Sequence, residues 1–294
     1  MRIQALLAFV AGLDGATAAA GGLSFDIASE GRLAIGYSDR VPAADAFLTG
    51  DATLRLSLGR FGAELGVFGR ADALDTPHET YGALTWDAGA NGRFAIGVPR
   101  PAFDGFAVSE LERHFPSLGV DRTGATRSEA TFGAMFGNYL PFGVRFENAN
   151  DRLRYAVSVH RNDTPDVTMA GIGVSAEFRD WVVEGAVEVS IGASTGVSGK
   201  ARIHRAAGRY SGGVAYFAPG AVPGPDLLEV FGAVETVDRV TVSGVVQIPV
   251  DGSGDPTGGI AARIAIAPQL SVLVGLASDA GADPAATAFL DWSF

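Results

Sequence analysis

The stretch Trp181-Val182-Val183-Glu184-Gly185-Ala186-Val187-Glu188-Val189-Ser190-Ile191 decides how the rest of the chain is read. Trp181, Val183, Val187, Val189 and Ile191 fall on odd positions, and Glu184, Glu188 and Ser190 on even ones. Strand side chains alternate between two faces, whereas a helix repeats every 3.6 residues. This period of two therefore marks a strand with one apolar and one polar surrounding. The pattern recurs. Leu54, Leu56 and Leu58 alternate with Arg55 and Ser57; Leu153, Tyr155, Val157 and Val159 alternate with Arg154, Ser158 and His160. Ile260, Ala262, Ile264 and Ile266 alternate with Ala261, Arg263 and Ala265. Each segment runs about ten residues, the length a tilted strand needs to cross a bilayer.

Working outward, turn signals divide the chain into strands near 24–38, 48–59, 61–73, 78–89, 92–103, 142–149, 151–162 and 166–178. Eight more fall near 181–192, 194–206, 208–218, 225–237, 239–250, 257–267, 269–279 and 284–294. That makes sixteen, an even number as bacterial single-chain barrels have. Tight joints at Gly59-Arg60, Ala90-Asn91-Gly92, Asn150-Asp151, Arg179-Asp180, Ala207-Gly208, Asp238 and Pro268 alternate with longer Pro-, Asp- and Gly-rich ones, such as 219–225 and 251–256. Short turns on one side and longer loops on the other put both termini on the short-turn, periplasmic side. A soluble sandwich or solenoid is the rival architecture. Against the solenoid stands the absence of a fixed repeat of 20–50 residues. Against the sandwich stands the matched strand length, which a water-facing sheet does not need. In hydrocarbon every backbone N–H and C=O must be paired within the protein, so the sheet has to close. The expected fold is all-β, a transmembrane antiparallel barrel over residues 21–294.

Composition agrees. The chain has 294 residues, 47% of them hydrophobic, and 40 are glycine. No internal apolar run approaches the roughly 18–20 residues of a membrane helix. The absence of cysteine excludes disulfides and thiolate chemistry. A net charge of −11 argues against nucleic acid as a partner. Residues 1–20 differ from the rest. Arg2 is followed by an apolar run from Ala5 to Leu13 and by the small residues Ala16-Thr17-Ala18-Ala19-Ala20. This reads as a secretory signal peptide cleaved after Ala20. A buried N-terminal helix would pack poorly around Asp14 and the alanine run.

The chain ends Phe289-Leu290-Asp291-Trp292-Ser293-Phe294, with Leu290, Trp292 and Phe294 on one face. Such an ending resembles the C-terminal signal read by the outer-membrane assembly machinery. Trp86, Trp181 and Trp292 all fall beside expected periplasmic ends, where aromatics favour the bilayer interface. One joint breaks the pattern. Between the fifth and sixth strands lies a long polar stretch carrying Asp104, Glu110, Glu112, Asp121 and Glu129 among Arg113, Arg122 and Arg127. Loops of this length are functional or disordered, and a sixteen-stranded bore can admit one.

The strand Gly92-Arg93-Phe94-Ala95-Ile96-Gly97, the long third external loop after it and the Trp292-Ser293-Phe294 end together resemble the general diffusion porins of Gram-negative bacteria, in the alphaproteobacterial style. The resemblance implies a third loop (residues 104–141) folded inward as a constriction, acids on that loop facing wall arginines, and a homotrimer. Carried onto this chain, Asp104, Glu110, Glu112 and Asp121 would line one side of the gap, and Arg32, Arg55, Arg70 and Arg93 the other. The chain departs from the family in its single lysine, Lys200, and its few aromatics. These four arginines, with Arg145, Arg152, Arg154, Arg202 and Arg263, could simply solvate the lumen by pairing with Glu64, Glu147, Glu184 and Glu188. The function implied is a water-filled outer-membrane channel for passive diffusion of small hydrophilic solutes and ions. Its partners would be those solutes and outer-membrane lipid, with no nucleic acid, cofactor or metal.

The rival readings are a barrel enzyme and a substrate-specific uptake channel. An enzyme would need a nucleophile beside an activating base. None of His78, His114, His160 and His204 sits in a Gly-x-Ser-x-Gly context. Glu110-Leu111-Glu112 and 251–255 offer oxygens suited to Ca²⁺ but lack an EF-hand pattern.

Overall fold

The computed structural model describes residues 17–20, 23–39, 46–72, 75–116, 118, 122–137, 139–222, 224–252, 254–279 and 281–294. A strand at Thr17–Ala20 folds back on Leu23–Asp26 ahead of the barrel. The barrel strands are β1 (Leu23–Ser38), β2 (Ala46–Leu58), β3 (Phe61–Ala71), β4 (His78–Asp87), β5 (Arg93–Val98), β6 (Phe142–Ala149), β7 (Leu153–Asp163) and β8 (Asp166–Phe178). They continue as β9 (Trp181–Gly192), β10 (Gly196–Ala207), β11 (Tyr210–Ala218), β12 (Leu227–Val237), β13 (Val240–Pro249), β14 (Thr257–Ala267), β15 (Leu270–Ser278) and β16 (Ala285–Ser293).

Each strand pairs antiparallel with the next, and β16 returns to β1 from Thr287↔Ser38 to Ser293↔Arg32. Backbone bonds between Gly31 and Phe294, 2.9 and 3.1 Å, extend the seam to the last residue. The sixteen-strand closed barrel expected from the alternation is what the chain forms. Closure satisfies every ladder without an edge, which is what a hydrocarbon surrounding demands. The fifth strand is shorter than the 92–103 segment read from sequence. It stops at Val98 because Pro99 and Pro101 cannot donate to a ladder.

Two-residue turns at Gly59-Arg60, Arg179-Asp180, Gly208-Arg209 and Asp238-Arg239 close one end. They need left-handed backbone, at φ 61° for Gly59 and 60° for Gly208. Glycine meets this freely, whereas Arg179 and Arg239, at φ 61° and 69°, do so at a cost of about 1–2 kcal/mol.

Register sets the faces. Positions such as Leu84, Ile96, Ile172, Ile191 and Ile260 point outward and stay exposed, forming an apolar belt. At the short-turn end an aromatic ladder runs across neighbouring strands. Trp86 stacks on Phe94 at 5.5 Å, Phe94 on Phe146 at 4.7 Å, and Phe146 on Tyr155 at 6.0 Å. Trp181, Phe178 and Tyr210 are exposed at the same end. This is the interfacial girdle of a membrane barrel. Trp292 and Phe294 stand 5.0 Å apart on the outer face, and Phe294 packs against the cluster of Ala52, Leu54, Val67 and Ala71. Leu290 lies half-exposed on the same face.

Candidate pore constriction

The connection from β5 to β6 turns into the lumen. Among its described residues are a 3₁₀ turn at Phe103–Gly105 and the helices α1 (Glu110–His114), α2 (Thr123–Thr126) and α3 (Glu129–Phe136). Ser109 and Ser128 start α1 and α3, each accepting a backbone hydrogen bond of 3.1 Å, from Leu111 and Ala130. Serine at this position satisfies an amide that the first turn leaves unpaired.

The wall supplies a second cap at each of these ends. Glu229 on β12 accepts from Ser109 Oγ (2.5 Å), Glu110 N (2.8 Å) and Leu111 N (3.3 Å). Gln247 on β13 donates to Glu229 at 2.9 Å and to Ser109 at 3.0 Å. Glu188 on β9 accepts from Ser128 Oγ (2.6 Å) and Glu129 N (2.9 Å). A carboxylate at a helix N-terminus faces the positive end of the peptide dipoles. The same device, a Ser-Glu pair read by a wall glutamate, thus docks the loop at two places.

Apolar contacts complete the docking. Phe103 and Phe106 pack on Ala156 and Ala186. Leu111, Phe115 and Leu118 pack on Val245, Leu273 and Phe289. Ala125 meets Phe217 and Leu227, and Ala130 meets Val167 and Met169. Two wall glycines are sockets for aromatics. A Cβ on Gly173 would lie 2.1 Å from the Phe106 ring, and one on Gly259 2.6 Å from that of Phe115. Lys200 Nζ donates to Thr126 O at 2.9 Å and lies 4.4 Å above the Phe103 ring.

The loop therefore meets the wall on most of its circumference. A cavity of about 390 Å³ remains between it and β1–β3, lined by Glu30, Arg32, Thr49, Asp51, Thr53, Phe68, Arg100, Val108, Glu112 and Arg113 among others.

The residues singled out from sequence are distributed unevenly around this gap. Arg32 and Glu112 line it. Arg32 is held by Asp291 at 2.5 Å, and Glu112 by Arg127 of the loop itself. Arg55 bonds to Glu30 at 2.6 Å. Arg70 bonds to Asp72 at 3.1 Å. Arg93 is paired with Glu64 and, at 3.3 Å, with Glu147, near the short-turn end. The expectation that all four arginines face the loop acids is corrected on geometry: spacing along a strand gives the face of a side chain but not its height in the bore.

Asp104 does not line the gap either. Only 2% exposed, it accepts from Ser128 N (2.7 Å) and Thr131 Oγ1 (2.5 Å), helping to cap α3. Glu110 points to the opposite wall, where it meets Arg202. Asp121 lies outside the described residues. The anticipated pairing of wall arginines with Glu64, Glu147 and Glu184 is present, whereas Glu188 caps a helix instead.

Sequence reasoning missed Asp51, Arg100 and Glu229. Arg100 spans from the loop to Asp51 on β2 at 2.7 Å. Burial works against its charged form, but Asp51 beside it holds the Arg100 guanidinium pKa well above the usual range. A lone glutamate between Leu228 and Val230 was the available signal for Glu229. Three histidines spend a ring N–H on backbone carbonyls: His78 on Thr76 (2.7 Å), His114 on Glu110 (3.0 Å) and His160 on Pro99 (2.9 Å).

A closed sixteen-strand barrel with an apolar outer belt, an aromatic girdle and its long third external loop inside defines a membrane-spanning barrel of the outer-membrane porin fold. Comparison with solved structures agrees. A mutant of the Rh. blastica porin matches 91% of this chain and 100% of its own at a TM-score of 0.69 and 14% identity. A second mutant of that porin gives 0.66 at 15% identity over the same shares. A structure described as asymmetric conductivity of engineered proteins gives 0.68 at 15% identity, again over 91% and 100%. No family model matches, and no curated protein does.

Proposed function

We propose that this chain is an outer-membrane porin, a passive channel for small hydrophilic solutes and ions. The observation that supports the reading is the inward loop, beside which a cavity with charged lining remains against β1–β3. A transmembrane barrel whose lumen is lined by ions gives polar solutes a hydrated path that the bilayer denies them. The loop is the constriction, and Glu30, Arg32, Asp51, Arg100, Glu112 and Arg113 are the charges a permeant meets there.

Three further elements belong to this reading. Residues 1–20 are an export signal. Cleavage after Ala20 removes the Thr17–Ala20 strand and leaves all sixteen barrel strands intact. Leu290, Trp292 and Phe294, aligned on the outer face of the closing strand, are the assembly signal. The functional unit is a homotrimer, as the family resemblance implies.

The reading is tested by swelling of proteoliposomes in sugars of increasing size. Entry of small sugars with a sharp size cut-off is expected. Liposomes that stay impermeable to all sugars and ions, with correctly inserted barrels, would refute it.

A further inference from the structure

Two buried acids meet where the loop is docked. Glu79 on β4 and Asp104 of the loop are each 2% exposed. Both reach the buried hydroxyl of Thr131, in the first turn of α3, at 3.1 and 2.5 Å. Among the described residues neither acid is ion-paired. The cations that act on them are committed elsewhere. Arg100 is paired with Asp51 at 2.7 Å, and Arg127 with Glu112. Lys200 on β10 donates to Thr126 O at 2.9 Å and lies over the Phe103 ring. His160 on β7 donates to Pro99 O at 2.9 Å. The other titratable neighbours, Glu188 on β9 and Tyr81 on β4, bring no positive charge.

One hydroxyl hydrogen cannot serve both acids. A threonine hydroxyl has a single hydrogen to give and lone pairs with which to accept. Asp104 takes that hydrogen at Oδ2, the shorter contact, and the Ser128 N–H at Oδ1, 2.7 Å away. It is thereby an acceptor at both oxygens. Glu79 Oε2 is left facing the lone pairs of Thr131 Oγ1. An ionised carboxylate there would set acceptor against acceptor, beside a second negative charge and away from water. With a proton of its own, Glu79 becomes the donor that this oxygen lacks.

We infer that Glu79 and Asp104 hold one proton between them, carried on Glu79, and that this proton seats α3 on β4. The contacts run from Glu79 through Thr131 and Asp104 to the Ser128 amide, so they join the wall to the first turn of the helix. Loss of the proton leaves two carboxylates around one hydroxyl, with Glu188 close by, and their repulsion loosens that turn. The inference goes beyond the porin reading, because the proton site does not depend on what the channel passes.

The test has a spectroscopic and an electrical arm, in barrels whose β-sheet circular dichroism matches the wild type. In the infrared spectrum at neutral pH, the C=O stretch of one un-ionised carboxyl should be present in the wild type and lost in Glu79→Gln. Glu188 and Glu229 are common to both proteins and cancel in the difference. In planar bilayers, open-channel noise of the wild type should rise from neutral to alkaline pH. Glu79→Gln, whose amide has the same size and can donate to Thr131 Oγ1, should stay quiet at both. Glu79→Ala, which leaves that oxygen without a donor, should be noisy at both. The absence of the difference band overturns the inference. So does alkaline noise that persists in Glu79→Gln, or a Glu79→Ala channel as quiet as Glu79→Gln. Barrels that show the band but never conduct would refute the channel reading and leave the proton in place; conducting barrels without the band would do the reverse.

Discussion

The two sides of the inward loop are held in opposite ways. Toward β7–β16 the loop is fastened by apolar contacts and by two carboxylates at helix N-termini, with Phe106 and Phe115 seated in glycine sockets. Toward β1–β3 it is met largely across a cavity by arginines and acids, with the Arg100–Asp51 pair and a Phe68–Met135 contact as bridges. A dry contact excludes water and fixes position, whereas a charged gap stays hydrated because its ions keep their solvation. On the proposed reading this difference puts the passage on the early-strand side and makes the late-strand side its anchor.

The most severe test of the anchor removes both wall carboxylates. From the loop Glu188 accepts two hydrogen bonds and Glu229 three, and a bond to a charged group contributes about 1.5–3 kcal/mol. Glu188→Ala combined with Glu229→Ala should detach α1 and α3, raise single-channel conductance and add open-channel noise. Unchanged, quiet conductance would show that apolar contacts suffice. A smaller effect is expected from Gly173→Val, which would force the Phe106 ring from its socket. Overpacking of this kind costs about 1–3 kcal/mol. The readout is a lowered temperature for barrel unfolding on gels, with conductance raised less than in the double variant.

The smallest effect concerns the charged side. Burial holds the imidazole of His114 below its ordinary range, and Arg263 and Arg32 push the same way. Its hydrogen bond to Glu110 O and the Glu110 carboxylate, 3.5 Å away, oppose them. His114 therefore gains its proton at a lower pH than a free imidazole would. The added positive charge lies beside Arg113, so the chloride-to-potassium ratio should grow between pH 7.5 and an acidic pH below the usual histidine range. His114→Gln should abolish that growth, as read from reversal potentials at the two pH values.

The number and faces of the strands were legible because a period of two survives any detail of packing, and sixteen such segments leave little freedom in topology. Phe142–Ala149 was delimited to the residue for that reason. The loop's inward fold was legible from its length and its place after the fifth strand. Its docking was not, because that depends on which residues meet across the bore. Phe217, Leu273 and Phe289 break the polar rule of a water-facing wall, and their reason is visible only once Leu111, Phe115 and Ala125 are seen against that wall. The partners of Arg93 and Glu110 were hidden likewise. Strand position gives the direction in which a side chain points, but the stagger of neighbouring strands decides what it reaches.

The central claim is that residues from about Asp104 to Leu140 set the narrowest section of the channel. The direct measurement is single-channel conductance of a barrel in which residues 108–136 are replaced by a short Gly-Ser linker, with folding checked by β-sheet circular dichroism. The account predicts a conductance well above that of the intact protein, with ion preference weakened. Equal conductance and equal ion preference in a correctly folded barrel would contradict it.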